Sequence, residues 1–323
     1  MTPGESGSSL SAALHRGGAW LRQQLLEPDW PTVAVEVRPR GLSVVRLVRD
    51  GGRLRLGAAA SLDLPEGVLD VSLTRPNVLD GAAFRKALES ACERAGALVG
   101  GPIALVLPDP AVRLSLVPAA DLKARRRAET EQMIRFRLNK AIPFDVQEAQ
   151  VAWAGPVAGQ VLVAAVFRPV LEGYEAACRD LGFEPGLVEP SSLALVSALA
   201  RGEASGDRLL VNWDFGYVSL VLTRAGWPIL IRTLAGDLGA EAVLREAANT
   251  VLYYRERLDG QGLLGASVRS ALLPPEEAAT LLREPLGLLP DVVDPWAALG
   301  GGDLSLGAQA MAGALSCLLR TAA

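Results

Sequence analysis

The chain has little of the side-chain chemistry that metal centres and nucleophilic catalysis use. Its 323 residues include one histidine, His15, and three cysteines, Cys92, Cys178 and Cys317. A single histidine excludes histidine-rich metal sites and argues against a Ser-His-Asp triad. The thiols lack the paired spacing of metal ligands, and scattered cysteines are typical of proteins from a reducing compartment.

Long apolar runs and an excess of positive charge are also missing. The longest apolar stretches, such as residues 161–167, have the length of a strand and fall well short of the roughly 20 residues of a membrane span. Lys and Arg number 32 against 36 Asp and Glu, which gives a formal net charge of −4. Because nucleic-acid binding needs clustered cations, we expect no nucleic-acid partner. The N-terminus carries Glu5 and no early basic residue, so it does not predict a signal peptide.

Hydrophobic residues, by contrast, make up half of the chain, enough for a sizeable core in two domains or one large one. Residues 1–30 are expected to form an N-terminal extension. Leucines recur there at helical spacing, but Gly17 and Gly18 interrupt the pattern, so the predicted amphipathic helix is marginal. Such a helix could pack on the body of the protein, bind a partner or lie on a membrane surface.

Hydrophobic periodicity and turn residues predict alternating strands and helices along the rest of the chain. In the first part we expect strands at 32–37, 42–49, 53–60 and 102–107, and a helix from Asp80 to about residue 95. In the middle we expect strands at 112–117, 150–154, 160–167 and 187–189, and helices at 121–141, 169–181 and 190–200, the last capped by Ser191 or Ser192. After a boundary at 202–207 we expect strands at 209–213, 217–224 and 228–233, a helix at 240–258 and an amphipathic helix at 306–319.

The two halves of the chain open alike. Val33-Ala34-Val35-Glu36 and Leu210-Val211-Asn212-Trp213-Asp214 are both apolar strands that end in an acid. Each is followed by a tight turn, an apolar strand, a glycine-bearing turn and a third strand. This similarity indicates an internal duplication.

At these residues the chain resembles a known family. The match is most specific at Glu131-Gln132-Met133-Ile134-Arg135-Phe136, which leads to Ala141-Ile142-Pro143-Phe144. Three further segments follow at the expected distances: Ala164-Ala165-Val166, Leu181-Gly182-Phe183 and Val188-Glu189-Pro190-Ser191. Over residues 32–319 the chain is similar to the PilM family of type IV pilus assembly proteins, which is related to the cell-division protein FtsA. The cytoplasmic actin-like domains of type II secretion and MSHA pilus systems are similar too.

The resemblance implies an α/β, actin-like (RNase H-like) duplicated fold. The first actin-like subdomain would comprise residues 31–107 and 183–207, with an inserted SHS2-like α+β module at 108–182. The second would comprise residues 208–323, with its subdomain over the nucleotide reduced.

The resemblance also implies a nucleotide site, but its loops depart from the family pattern. The residues that would form it are Glu36, Gly41, Ser43, Asp214, Gly216 and Ser219. In the first loop Arg38 replaces a small residue and Pro39 removes an N–H donor. Where the family has a Gly-Gly turn, this chain has Val268, Arg269 and Ser270. We therefore expect a degenerate site with no catalytic residue, metal or cofactor, the alternative being ATP with Mg²⁺.

The function that the resemblance implies is a non-catalytic scaffold. It would be cytoplasmic and peripheral to the inner membrane, docking the cytoplasmic tail of a PilN-like single-span protein, either as a single copy or as a homo-oligomer. Met133, Phe136, Ile142 and Phe144 are candidate partner-binding residues, although an ordinary role in the module core explains them equally well. Two alternatives are an ATP-binding conformational switch and a sugar-kinase-like enzyme, for which the sequence offers no strong catalytic aspartate.

Overall fold

A computed structural model describes residues 30–51, 53–122, 126–200 and 206–319. The predicted N-terminal helix and most of the predicted boundary at 202–207 lie outside this part of the chain. Within it, no helix combines the length and the hydropathy of a membrane span.

Thirteen strands are present in the described residues. In chain order they are β1 (Val33–Arg38), β2 (Gly41–Asp50), β3 (Arg53–Asp63), β4 (Gly101–Leu107), β5 (Val112–Pro118), β6 (Ala149–Val157), β7 (Gln160–Phe167), β8 (Phe183–Pro190), β9 (Asp207–Asp214), β10 (Tyr217–Arg224), β11 (Trp227–Ala235), β12 (Gly265–Ser270) and β13 (Asp291–Val292).

The strands form two five-stranded sheets of the same design and one small sheet. The first sheet has the order β3-β2-β1-β4-β8 and the second has the order β11-β10-β9-β12-β13. In both, the first three strands are antiparallel and the remaining two run parallel to the central strand. The predicted duplication is thus confirmed. The connection from β11 to the next helix comprises only residues 236–239, so the second half is reduced as expected.

Eight α-helices cover these sheets in the described residues. They are α1 (Gly81–Arg94), α2 (Arg127–Leu138), α3 (Arg168–Arg179), α4 (Ser191–Leu199), α5 (Ala240–Arg257), α6 (Pro275–Leu286), α7 (Leu306–Gln309) and α8 (Ala312–Leu319).

The helices and sheets stack in five layers. Helices α1 and α3 pack on the outer face of the first sheet, and α5 and α6 pack on the outer face of the second. Helices α4 and α8 lie between the two sheets, where α8 contacts β1, β2 and β4. Because both faces of β1 and β9 are covered, these strands are almost wholly buried and apolar. The buried polar residues of these two central strands are Glu36, Arg38, Asn212 and Asp214.

The inserted module has a sheet and a core of its own. Its strands are antiparallel in the order β5-β7-β6. Helix α2 covers them with Ile134 and Leu138, which pack against Val163 and Ala165. Helix α3, which follows β7, belongs to the core of the first sheet through Val170 and Tyr174.

Two sequence predictions in and beside the module were wrong in extent. The helix expected at 121–141 spans only Arg127–Leu138, because Arg126 is extended and a separate 3₁₀ turn occupies Ala119–Leu122. The strand expected at 187–189 spans Phe183–Pro190. Pro185 and Gly186 concealed it, and proline is tolerated there because β8 is the edge strand.

Two predictions about the central helices were also wrong. Neither Ser191 nor Ser192 caps α4, since Pro190 holds the cap position and both serines lie inside the helix. The single amphipathic helix expected at 306–319 is two helices, α7 and α8, and every residue of α8 is buried. The helix is interrupted where two of its carbonyls accept side-chain hydrogen bonds. The Gln309 carbonyl accepts from Arg269 at 2.9 Å, and the Ala310 carbonyl accepts from Ser43 at 2.7 Å.

Candidate functional site

The first hairpin turns of the two halves lie against each other. The turn after β1 carries Arg40, and the turn after β9 carries Phe215 and Gly216. The guanidinium carbon of Arg40 lies 3.6 Å from the centre of the Phe215 ring, a cation–π contact. Gly216 has a φ of 71°, which glycine adopts without strain. The duplicated loops therefore contact each other directly.

The two acids that end the duplicated strands are both bound to Arg269. Glu36 and Arg269 are 0% exposed and Asp214 is 2% exposed. Nη2 of Arg269 lies 3.2 Å from Oε1 of Glu36, and Nη1 lies 2.6 Å from Oδ2 of Asp214. The guanidinium group of β12 thus bridges a carboxylate from each half of the fold.

The remaining hydrogen bonds of this bridge fix its orientation. Nη1 of Arg269 also donates to Oδ1 of Asn212 at 3.1 Å, and Nε donates to the carbonyl of Gln309 at 2.9 Å. Glu36 accepts from Oγ of Ser191 at 3.1 Å and from the backbone nitrogen of Ala314 at 3.0 Å. Arg269 thus donates four hydrogen bonds, two of them to carboxylates, which fix both its charge and its orientation.

A third buried acid, Asp109, lies beside this bridge. It accepts from the backbone nitrogen of Ser192 at 2.9 Å, from the Ser192 hydroxyl, and from Nδ2 of Asn212 at 3.1 Å. Asn212 also contacts the Ser191 hydroxyl at 3.3 Å. We refer to Glu36, Asp109, Asn212, Asp214 and Arg269 as the buried ion cluster.

The electrostatics of the cluster follow from its burial. Desolvation raises the pKa of Glu36, and the charge of Arg269 is the largest of the effects that oppose it. Desolvation likewise raises the pKa of Asp109, against the hydrogen bonds from Ser192. For Arg269, burial alone would lower the pKa, but the charges of Asp214 and Glu36 outweigh it and raise the pKa. Arg269 is therefore a cation held in place by acids from both halves.

The other predicted nucleotide residues have internal partners. The Ser43 hydroxyl donates to the Ala310 carbonyl, and the Ser219 hydroxyl lies 2.9 Å from that of Thr233. Gly41 gives room to Arg38, because a Cβ there would lie 2.6 Å from Nη2 of that arginine. These residues support the turns and the packing of the C-terminal segment.

The cluster does not fit the Mg²⁺ that a nucleotide would bring. Magnesium requires near-octahedral oxygen ligands and is repelled by a neighbouring cation. Here the guanidinium of Arg269 occupies the space where Glu36 and Asp214 converge. Among the described residues, no group of three or more His, Cys, Asp or Glu side chains is arranged to hold a metal ion.

A pocket of about 560 Å³ lies outside the two turns. Its lining includes Pro39 and Arg40 from the first turn, Phe215 and Gly216 from the second, and residues of the loop at 64–71. Neither Glu36 nor Asp214 lines it. The open space beside the turns is thus separate from the acids of the buried ion cluster.

The predicted partner-binding residues differ in their exposure. Ile142 is buried in the module core, and Met133 and Phe144 pack against that core. The Phe144 ring also contacts Phe167, with centroids 5.1 Å apart. Phe136 is 72% exposed on α2. Of the four, Phe136 is the one whose side chain is exposed to solvent.

A groove of about 410 Å³ lies where the module meets both halves of the fold. We call it the three-way groove. Trp153 of the module, Leu193 and Val196 of α4, and Trp227 of the β10–β11 hairpin line it. In the described structure, the buried Nε1 atom of Trp227 has no hydrogen-bond partner. Neither tryptophan was predicted, because their proximity arises only from packing between distant segments.

Comparisons with known proteins agree on the fold. No protein-family model matches the chain, and no curated protein matches it in sequence. A chain of the PilM–PilN type IV pilus biogenesis complex is 21% identical, with a TM-score of 0.75 over 91% of this chain and 99% of that chain. This similarity establishes an actin-like fold.

Two further solved structures are more distant. An actin-like ATPase-fold protein of unknown function from Bacteroides thetaiotaomicron is 9% identical, with a TM-score of 0.48 over 80% of this chain and 89% of that chain. The cytoplasmic domain of EpsL, an inner-membrane component of the type II secretion system of Vibrio cholerae, is 14% identical. Its TM-score is 0.47 over 74% of this chain and 81% of that chain.

Proposed function

We propose that this chain is a nucleotide-independent scaffold of a type IV pilus or related secretion platform. It works in the cytoplasm at the inner membrane, where it docks the cytoplasmic tail of a PilN-like single-span protein. The observation that carries the proposal is the bridge formed by Arg269 between Glu36 and Asp214. The shared fold with a chain of the PilM–PilN complex supports the choice of machine and partner.

The bridge argues against catalysis for an energetic reason. A nucleotide with Mg²⁺ would have to displace a buried cation from both acids. Breaking a buried ion pair costs about 3–5 kcal/mol, because it leaves an uncompensated charge inside the protein. Because Glu36 and Asp214 are paired with Arg269, the contact between the two halves is stable without a ligand and serves as a structural joint.

The docking site that we propose is the three-way groove. Trp153 and Trp227 offer large rigid apolar surfaces to the side chains of an extended tail. The groove runs beside β6, which is one of the two edge strands of the module sheet. An extended segment could add main-chain hydrogen bonds along such an edge. Phe136 on α2 provides a second contact point on the module.

The experiment is a binding titration with synthetic tails. Peptides covering the cytoplasmic segments of single-span proteins encoded beside this chain are titrated against the full-length protein by fluorescence anisotropy. One tail should bind, equally well with and without Mg·ATP. Trp227→Ala should weaken it by about 2 kcal/mol or more, as for a central aromatic contact. Arg85→Ala, an exposed change on α1, is the control. Binding by none of the tails, or binding only with nucleotide, would contradict the proposal.

The alternative is an ATP-binding conformational switch, which the pocket of about 560 Å³ beside Phe215 and Gly216 favours. A nucleotide in that pocket would act without the acids of the buried ion cluster, or would displace Arg269 from them. Either case makes tail binding depend on nucleotide, so the same titration decides between the two functions.

A further inference from the structure

The buried ion cluster joins nearly every element that meets between the two sheets. Through Arg269 it ties β12 to Glu36 of β1, to Asn212 and Asp214 of β9, and to the Gln309 carbonyl at the end of α7. The bonds cross from one half of the fold to the other. The cluster is therefore a joint between the halves as well as an obstacle to nucleotide.

Helix α4 extends from this joint to the three-way groove. Its first two residues are bonded to the cluster, Ser191 to Glu36 and Ser192 to Asp109. Its later residues Leu193, Val196 and Ser197 line the groove. One helix of nine residues thus connects the two sites.

We propose that Arg269 is a positioning residue that holds α4, and with it one wall of the three-way groove, in a fixed docking geometry. The groove is then ready for its ligand at all times, with no small-molecule effector required. The inference rests on the docking function proposed for this groove.

Two hydrogen-bonded paths connect the guanidinium group of Arg269 to the first residues of α4. One runs from Nη2 of Arg269 through Glu36 to the Ser191 hydroxyl. The other runs from Nη1 through Asn212, whose Nδ2 contacts the Ser192 hydroxyl at 3.1 Å and Asp109 at 3.1 Å. The planar fork of arginine can hold Glu36 and Asn212 in different directions at once, whereas the single ammonium of lysine cannot hold that geometry.

A third path runs through the C-terminal helix. Glu36 accepts from the backbone nitrogen of Ala314 in the first turn of α8, where a carboxylate is favoured by the helix dipole. Helix α8 in turn packs along α4. Loss of Arg269 would free Glu36 to move, and both central helices would lose their common anchor.

The test is hydrogen exchange of the full-length protein without any ligand, followed by mass spectrometry. The first variant is Arg269→Lys. The second is the triple variant Glu36→Gln, Asp214→Asn, Arg269→Met, in which all three side chains are neutral, so that the bridge is removed without leaving Glu36 or Asp214 charged and unpaired. The control is Arg232→Lys, the same chemical change at an ion pair with Glu246 in the second half.

We expect the amides of α4 to exchange roughly tenfold faster in both Arg269 variants, with those of α5 unchanged, because local opening can occur without global unfolding. Arg232→Lys should leave α4 as in the wild type. Wild-type exchange of α4 in the triple variant, or equal acceleration in α4 and α5, would overturn the proposal. If no tail peptide binds the wild type, the docking function fails, while the exchange result still decides whether Arg269 holds α4.

Discussion

Replacing Gly313 by alanine should destabilise the protein, although it lies in a helix. Gly313 is the second residue of α8 and its φ is not in the left-handed region. In an ordinary helix, alanine is the better residue by up to about 1 kcal/mol. Propensity alone therefore predicts a small gain in stability.

The surroundings of Gly313 turn this expected gain in stability into a loss. A Cβ there would lie 2.5 Å from Oε1, 2.7 Å from Cδ and 2.8 Å from Oε2 of Glu36. Glu36 has no room to retreat, because it is 0% exposed and is held by Arg269, Ser191 and the Ala314 nitrogen. Overpacking costs about 1–3 kcal/mol, and weakening one hydrogen bond to a charged group costs about 1.5–3 kcal/mol. After subtracting the gain in propensity, we expect a net loss of about 1.5–5 kcal/mol.

The assay is urea unfolding followed by tryptophan fluorescence. The matched control is Gly307→Ala in α7, where the nearest atom to a Cβ is the Ser305 hydroxyl oxygen at 3.8 Å. The control should be as stable as the wild type or more stable by up to about 1 kcal/mol. A Gly313→Ala protein as stable as this control would show that Glu36 is not held where the account places it.

Three further predictions concern the cluster and the module. Arg269→Met should cost about 3–5 kcal/mol of unfolding free energy in the urea assay, because it leaves buried carboxylates unpaired; a loss below 1 kcal/mol would contradict this. Burial raises the pKa of Asp109 above its usual 3.8, so its contribution to stability is full below about pH 4 and falls as the pH rises through the raised value. The stability of the wild type relative to Asp109→Asn should therefore decrease from about pH 4 upward, and a difference independent of pH would refute this cause. Ile142→Ala should cost about 2–4 kcal/mol and Phe136→Ala less than about 0.5 kcal/mol, because the first is buried in the module core and the second is 72% exposed; equal losses would contradict the assignment.

The fold was accessible from sequence because its signals are local and repeated. The apolar strands that end in Glu36 and Asp214, and the turns that follow them, revealed the duplication. Asp80 caps α1 as predicted, accepting from the backbone nitrogen of Ala83. The inaccurate boundaries lie where tertiary contacts override local preference, as at the break between α7 and α8, where carbonyls bind Ser43 and Arg269.

The organisation of the site was only partly accessible. Sequence comparison marked Arg269 as a departure from a Gly-Gly turn, but nothing in the sequence shows that its side chain reaches Glu36, 233 positions away. The hydrogen bonds of Asp109 and Asn212 could likewise be identified only in the folded structure. A polar residue between buried apolar neighbours was the available signal, and it marks Asn212, which lies between Val211 and Trp213.

The central claim is that Arg269 makes Glu36 and Asp214 unavailable to a nucleotide, and calorimetry with Mg·ATP tests it most directly. Because Arg269 bridges Glu36 and Asp214, we expect no saturable heat of binding, corresponding to a Kd weaker than about 1 mM. The titration is repeated with Asp214→Asn, which should be equally silent. Binding in the micromolar range by the wild type, dependent on Mg²⁺ and lost in Asp214→Asn, would contradict the account, because it would show that a nucleotide displaces the arginine.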